Sequence, residues 1–448
     1  MQEAQHTAAR VYSPPQFVTG RYRVLVERLE ATGEAVARVI VPVEPASASD
    51  LAKVYHLHNT PAPEPHEFTF VGGLPSEVLD IEARWTLPRP DRRPSRHVPP
   101  PFVRVVRVVE SSPERVEAPC VLFGECGGCQ FQHMDYAAQL RWKQDRVLGA
   151  LAAHGLGHIT VEQTRGCENP WHYRNHMRFS VNREGRAGLT ARGSHRVLEV
   201  SSCHIAHPAI NRALDAVRDA PLTRPQLAVR VGDASGDILL LPAQNETVGE
   251  RLTAAGLCVR GTEMEERLLG VPFRIRPSSF FQTNTAQANH MARLVLERLP
   301  TGPEATLVDA YCGVGTFAAL MARQAGKVIA IEESASSIRD AAWNLREFEN
   351  VEILQAKVED ALPGLHTRVD GLVIDPPRAG CHRAVLAALT AHRVPRVVYV
   401  SCNPDTLARD LATLCAQAGA YRVVCVQPLD MFPQTAHVET IATLEACP

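Results

Sequence analysis

The chain has 448 residues, 45% of them hydrophobic and 21% charged, with a formal net charge of −2. That composition predicts a multidomain, water-soluble protein and excludes a uniformly basic nucleic-acid binder, although a near-neutral total can hide a charged face. No apolar run approaches the roughly 18 residues of a membrane span, and the opening segment lacks the charged-then-apolar pattern of a secretory signal, so a cytoplasmic location is expected.

Four basic residues are Lys (Lys53, Lys143, Lys327, Lys357) and the other 43 are Arg, so any basic patch is made of planar forks suited to phosphate. The twelve Cys of a signal-free chain point to a catalytic thiol or a metal site rather than a disulfide framework.

Residues 14–43 and 68–83 alternate as strands do, for example Arg21–Val26 and Glu77–Ile81. Residues 44–67, rich in Pro, Ala and His, read as a surface insertion. Residues 84–107 carry seven Arg (84, 89, 92, 93, 96, 104, 107) against Asp91. Short strands with basic loops predict a small β-barrel of the kind that binds single strands; an exposed linker is the plainer reading.

Residues 120–131 (CVLFGECGGCQF) form a Cys/Gly knot. A helix follows, with Asp135 as N-cap, Leu140, Val147, Leu148 and Leu151 on one side and Gly155 as stop. Strands at His176–Val181, Val197–Val200, Leu227–Val231 and Asp237–Leu241 predict a β-rich middle domain. Arg165–Arg196 holds a second basic excess of seven Arg (165, 174, 178, 183, 186, 192, 196) against Glu168 and Glu184.

From about residue 271 strands and helices alternate. Strands are expected at Thr306–Tyr311, Lys327–Glu332, Val351–Gln355, Gly371–Asp375, Val397–Ser401, Tyr421–Gln427 and His437–Leu444, with helices such as Phe317–Gln324, Ala335–Arg346 and Pro404–Ala418 between them. This is the pattern of a doubly wound α/β sheet.

The first strand of that region runs into Asp309-Ala-Tyr-Cys-Gly313-Val-Gly315, and the second ends in Glu332. Glycines at a strand end admit a ligand to the next helix start, and an acid at the second strand end suits a ribose diol. Ala318 breaks the dinucleotide pattern, and acid-x-x-x-Gly-x-Gly instead resembles S-adenosylmethionine-dependent methyltransferases.

Further on, Asp375-Pro-Pro-Arg378 closes the fourth strand, Arg378 standing where many amino-group methyltransferases have an aromatic. Cys402 precedes a helix that Asn403 caps and Pro404 opens, where the dipole favours a thiolate. Most cysteines are small buried hydrophobes; this position points to a nucleophile. His437 and Glu439, two apart in a predicted strand, would share a face and offer a general base. A thiolate, a methyl donor and a base suit methylation of a pyrimidine carbon, through addition to C6 and alkylation at C5 of an extruded base.

At these residues the chain resembles the RNA uracil-C5 methyltransferase family, in particular the branch that makes 5-methyluridine in 23S ribosomal RNA. The resemblance implies Cys402 as nucleophile and Glu439 as proton acceptor. It assigns S-adenosylmethionine contacts to Gln282, Tyr311, Glu332 and Asp375, and substrate contacts to Phe280, which would stack on the extruded uracil, and His437. Cys120, Cys126, Cys129 and Cys203 match the set that holds a 4Fe–4S cluster in relatives, while four thiolates are chemically equally able to bind zinc. Val24–Val39 and Phe70–Glu77 resemble the TRAM domain.

The expected fold is therefore α/β: a C-terminal Rossmann-like methyltransferase sheet, an N-terminal TRAM/OB-like β-barrel and a β-rich central domain. The expected boundaries are 14–109 for the barrel, 110–132 with 160–265 for the central iron–sulfur domain, and 133–159 with 266–448 for the methyltransferase domain. The expected substrate is a single-stranded or loop region of 23S rRNA, with no membrane partner and a monomeric protein. The T-loop uridine of tRNA, and a non-catalytic RNA-binding factor on the same fold, are the alternatives.

Overall fold

The computed structural model describes residues 16–55, 65–87, 100–219, 222–242, 246–416 and 420–448. It divides into two compact units, one ending at Arg115 and the other running Val116–Pro448. Among the described residues no helix is long and apolar enough to cross a membrane.

The first unit is a five-stranded antiparallel sheet of β1 (Phe17–Leu29), β2 (Ala35–Glu44), β3 (Glu67–Phe70), β4 (Val78–Thr86) and β5 (Phe102–Glu110), in the order β3-β2-β1-β4-β5. Its two edge strands, β3 and β5, approach one another, giving the sheet a barrel-like curl. Alternation along β1 sends Val18, Tyr22, Val24 and Val26 inward, where Tyr22 packs on Phe68 with ring centroids 5.0 Å apart.

Two expectations change here. The segment expected as a surface insertion contains a helix, Ala48–Val54, whose Leu51 and Val54 are buried in this core. Arg84, Arg104 and Arg107 lie in strands and are paired, the first two with Glu82 at 3.3 Å and the third with Asp80 at 2.7 Å. They are therefore partly neutralised rather than free loop cations. Arg89, Arg92, Arg93 and Arg96 lie outside the described residues.

The second unit holds two larger sheets. Strands β6 (His176–Val181), β7 (Ala187–Thr190), β8 (Val197–Glu199), β9 (Gln226–Val231), β10 (Asp237–Leu241) and β11 (Cys258–Arg260) assemble in the order β11-β10-β9-β6-β7-β8. A hairpin of β12 (Met264–Leu268) and β13 (Val271–Ile275) leads to the seven-stranded sheet. Its strands are β14 (Gly302–Ala310), β15 (Ala325–Glu332), β16 (Val351–Gln355), β17 (Gly371–Ile374), β18 (Arg396–Ser401), β19 (Tyr421–Leu429) and β20 (Glu439–Ala446). The order is β16-β15-β14-β17-β18-β20-β19, parallel from β16 to β18 and with β20 antiparallel to both its neighbours. The order reverses between β14 and β17, which opens a crevice at their carboxyl ends.

The helix Tyr136–Ala153 is capped as its sequence predicts, Asp135 accepting from the backbone N–H groups of Ala137 and Ala138 at 3.0 and 3.3 Å. Its buried stripe differs from the expected one, because Gln139 and Lys143 are inside and Leu140 is only half-buried. Lys143 is fully buried and donates to Asp430 at 2.5 Å and to the Phe432 carbonyl at 3.0 Å. Tyr136 donates to the other Asp430 oxygen at 2.9 Å, and Gln139 donates to Gln434 Oε1 at 3.0 Å. The helix thereby clamps the loop that follows β19.

Removing one partner of a buried pair strands the other charge in a medium that solvates it poorly, at a cost of about 3–5 kcal/mol. Lys143→Met is therefore expected to lower the urea midpoint markedly, whereas Lys53→Met, which removes an exposed pair with Asp50, leaves it where it was.

Candidate active site

The crevice is framed by five strand ends. After β14 the backbone turns left-handed three times, at Tyr311 (φ 66°), Gly313 (φ 57°) and Gly315 (φ 86°). Such a turn is costly for Tyr311 and easy for the glycines, so strain is concentrated at the cleft mouth. A Cβ at Gly313 would meet nothing within 4 Å, leaving room for a ligand, whereas one at Gly315 would press on Leu345 at 3.0 Å. Beside this turn Glu332 accepts backbone N–H bonds from Gly313 at 3.0 Å and Ser334 at 2.8 Å, which fixes its carboxylate at the second strand end. Asp309 is fully buried and accepts from Ala318 N at 2.7 Å; burial pushes its pKa up to about 8.

Asp375 follows β17, and burial raises its pKa to about 7. The loop it opens is held from behind by Asp410. That carboxylate accepts from Cys381 N at 2.8 Å and Tyr399 OH at 2.7 Å, and Arg409 donates to the Ala379 carbonyl at 2.9 Å. Cys381 is buried against Tyr399 with its thiol pushed up to about 12, a structural cysteine. The Arg378 carbonyl accepts from Asn403 and Thr406, both at 3.2 Å, so the Arg378 loop is tied to the helix Pro404–Ala416.

Cys402 stands between β18 and that helix, half-buried, and Asn403 Oδ1 accepts from Asp405 N at 3.1 Å as the expected cap. The thiolate expected from the helix start is not favoured. Burial raises the Cys402 pKa, the Glu439 and Asp375 carboxylates add to the rise, and Arg378 opposes it by charge and hydrogen bonding.

Ser401 pairs with Thr440 at the end of the antiparallel β18–β20 ladder, so Cys402 and Glu439, the next residues along, come to the same sheet edge, where the Glu439 carboxylate acts on the thiol. Glu439 is 5% exposed, and burial, reinforced by Asp375, raises its pKa well above the ordinary carboxylate range against the pull of Arg378. The predicted shared strand face of His437 and Glu439 is not found. The strand begins at Glu439, and His437 lies exposed in the preceding turn, its ring 6.0 Å from Phe432.

Gln282 and Phe280 lie on the link from β13 to the helix Thr285–Glu297. Asn284 caps that helix and donates to the Met431 carbonyl at 3.2 Å, joining this link to the loop before Glu439. Gln282 is half-buried, Phe281 is packed in the core, and Phe280 is 70% exposed. Sequence reasoning missed the facing of Arg378 toward Cys402 and the Lys143–Asp430 clamp. One signal for the clamp was present: a rare Lys at i+4 from Gln139 and i−4 from Val147.

Away from the sheet, Cys120, Cys126, Cys129 and Cys203 all line one cavity of about 510 Å³. Burial raises the pKa values of the last three thiols, with Cys129 at about 12, and at least one neighbouring thiol adds to each rise. Among the described residues no group of three or more His, Cys, Asp or Glu side chains is arranged to hold a metal ion.

A doubly wound sheet with glycines and acids at its carboxyl edge defines the class, a Rossmann-like methyltransferase. Residues 263–447 match the family model described as tRNA (uracil-5-)-methyltransferase. The chain is 37% identical over 393 residues to an uncharacterized RNA methyltransferase of Thermosynechococcus vestitus, covering 76% of this chain and 87% of that one. It is 38% identical over 397 residues to an uncharacterized RNA methyltransferase of Gloeobacter violaceus, covering 77% and 86%. Its fold is similar to that of the Pyrococcus abyssi tRNA (uracil-54, C5)-methyltransferase in complex with S-adenosyl-L-homocysteine, with a TM-score of 0.67 and 21% identity over 94% of this chain and 99% of that one. The chain belongs to the uracil-C5 RNA methyltransferase family and is an RNA methyltransferase.

Because the thiol is the favoured form of Cys402, its alkylation by iodoacetamide, followed by peptide mass spectrometry, should be slow at neutral pH and accelerate as pH rises through the elevated pKa. Arg378→Gln removes the opposing cation and should slow labelling further, several-fold at fixed pH; faster labelling would contradict the assignment.

Proposed function

We propose that the protein methylates C5 of a uridine in 23S ribosomal RNA, with Cys402 as nucleophile and Glu439 as proton acceptor. The observation that carries this reading is the β18–β20 register that brings the thiol and a buried acid of raised pKa to one sheet edge. S-adenosylmethionine, when bound, supplies an electrophilic methyl group. Tyr311, Glu332, Asp375 and Gln282 would hold it, and the open space at Gly313 beside Glu332 suits such a ligand.

Cys402 gives up its proton to water at the open mouth with Arg378 alongside as the stabilising cation, and its sulfur bonds to C6 of the uracil ring as the C5–C6 π pair moves to C5. That addition places electron density on C5, which takes the methyl group. Glu439, having lost its own proton to water, accepts the C5 proton; the C5–H pair re-forms the C5–C6 double bond as the Sγ–C6 bond breaks and the thiolate leaves. A paired base is hidden in the stack, so the target is extruded, and exposed Phe280 offers it a ring to stack on, with His437 at the rim.

Cys120, Cys126, Cys129 and Cys203 would hold a 4Fe–4S cluster through four thiolates, the donor set such a cluster takes, and all four line one cavity. The cluster would cross-link the Cys/Gly knot to the segment around Cys203; the methyl transfer above involves no redox step. We assign residues 14–109 to RNA binding, 110–132 with 160–265 to the cluster domain, and 133–159 with 266–448 to catalysis. A second reading, the same chemistry on a tRNA uridine, is favoured by the fold's similarity to the Pyrococcus abyssi tRNA enzyme.

Cys402→Ala should abolish methyl transfer while leaving S-adenosylmethionine affinity within a few-fold, as checked by calorimetry; full activity would remove the nucleophile. Glu439→Gln should still form the covalent RNA adduct but release it slowly. A covalent adduct with 5-fluorouridine RNA separates the enzyme from a binding factor. Mapping 5-methyluridine in rRNA and tRNA from a strain lacking the protein separates the two substrates.

A further inference from the structure

The basic excess of Arg165–Arg196 is sorted by the fold. Arg186 pairs with Glu199 at 3.6 Å, Arg196 pairs with Glu125, and Arg192 donates to the Cys129 carbonyl at 3.2 Å. Arg174 and Arg178 form no ion pair among the described residues, and a third arginine from a distant strand joins them. The β6–β9 register sets Arg230 opposite His176, and β6 alternation puts Arg178 on the same face as His176.

Arg230 is only 5% exposed. Its guanidinium donates to the Ser279 carbonyl at 2.7 Å and to His176 Nδ1 at 3.2 Å, with no carboxylate beside it, and burial lowers its pKa to about 10. His176, pushed to about 4 by burial and then by Arg230, Arg178 and Arg174, is neutral and accepts that bond. Arg174 Nε is buried without a partner. Arg174, His176 and Arg178 also line the cavity of the four cysteines, and Arg178 is exposed. Burying a guanidinium without a counter-charge is expensive, so an anion that reaches Arg178 from solvent would complete these three arginines around one neutral imidazole. The site adjoins the exposed ring: the carbonyl that Arg230 grips belongs to the residue before Phe280.

We propose that Arg174, Arg178 and Arg230 form a phosphate seat that holds the RNA backbone beside the extruded uridine. This rests on the reading of Phe280 as the stacking platform. The seat gives a specific task to arginines that a count along the chain could not separate from solvated ones. Its contribution is ionic and independent of base identity.

The test is the salt dependence of binding of a fluorescently labelled single-stranded RNA containing the target uridine, measured with the full-length protein. Removing one arginine–phosphate pair should lower the slope of log K against log salt by about 0.7. Arg178→Gln, at an exposed position, and Arg174→Gln should each show that decrease, with several-fold weaker binding at low salt and convergence with the parent at high salt. Arg178→Lys should keep the slope, and S-adenosylmethionine affinity should be unchanged in all three. An unchanged slope in both Gln variants of a parent that methylates RNA overturns the seat alone. A parent that neither binds nor methylates RNA overturns the proposed function and the seat together.

Discussion

One reversed strand determines the chemistry of the large sheet. Because β20 runs against β18, its first residue, rather than its last, lies at the carboxyl edge where the crevice opens. A parallel β20 would place Glu439 some six residues, about 20 Å, away at the opposite edge. The reversal therefore brings together two residues 37 positions apart, and it does so through backbone hydrogen bonds that tolerate little slippage: a shift of one residue would turn Glu439 to the other face.

Two buried carboxylates then immobilise the loops that flank this pair. Asp410 gathers the Asp375–Cys381 loop from behind, and Asp430, with Lys143 and Tyr136, gathers the loop that leads into Glu439. Neither touches the crevice chemistry. Their effect is to fix the entry geometry of Arg378 and Glu439, because a side chain on a loop held at several points has few alternative positions. The second clamp also joins a helix from residues 136–153 to the C-terminal sheet, so that segment packs with that sheet although the central sheet separates them in sequence.

The strands of the large sheet were legible because buried parallel strands are continuous apolar runs bounded by turn residues, and Val351–Gln355 matches its expected bounds. Glu439 was legible as an acid but not in its strand setting, since Ala436-His437-Val438 has no turn residue to show that the strand starts later. The insertion at 44–67 hid a helix because that helix buries two residues, Leu51 and Val54, too few to make a periodic signal. Lys143 was unreadable for a different reason. Its partner lies 287 residues away, and burial of a charge depends on that partner rather than on local pattern.

The electrostatics of the site run against the simplest picture of an activated thiol. Cys402, Asp375 and Glu439 all have raised pKa values, so each is shifted toward its neutral form and the crevice avoids the cost of holding three negative charges together. Arg378 is the cation that lowers both the thiol and Glu439, and it sits on the exposed side of the crevice. Ionisation of Cys402 is thus tied to a residue at the mouth rather than to the helix start alone. A site arranged in this way keeps its sulfur unreactive toward small electrophiles while the mouth is open to water, where the field of Arg378 is screened. Once a base fills the mouth and excludes that water, the same charge acts at lower dielectric and its effect on the thiol strengthens.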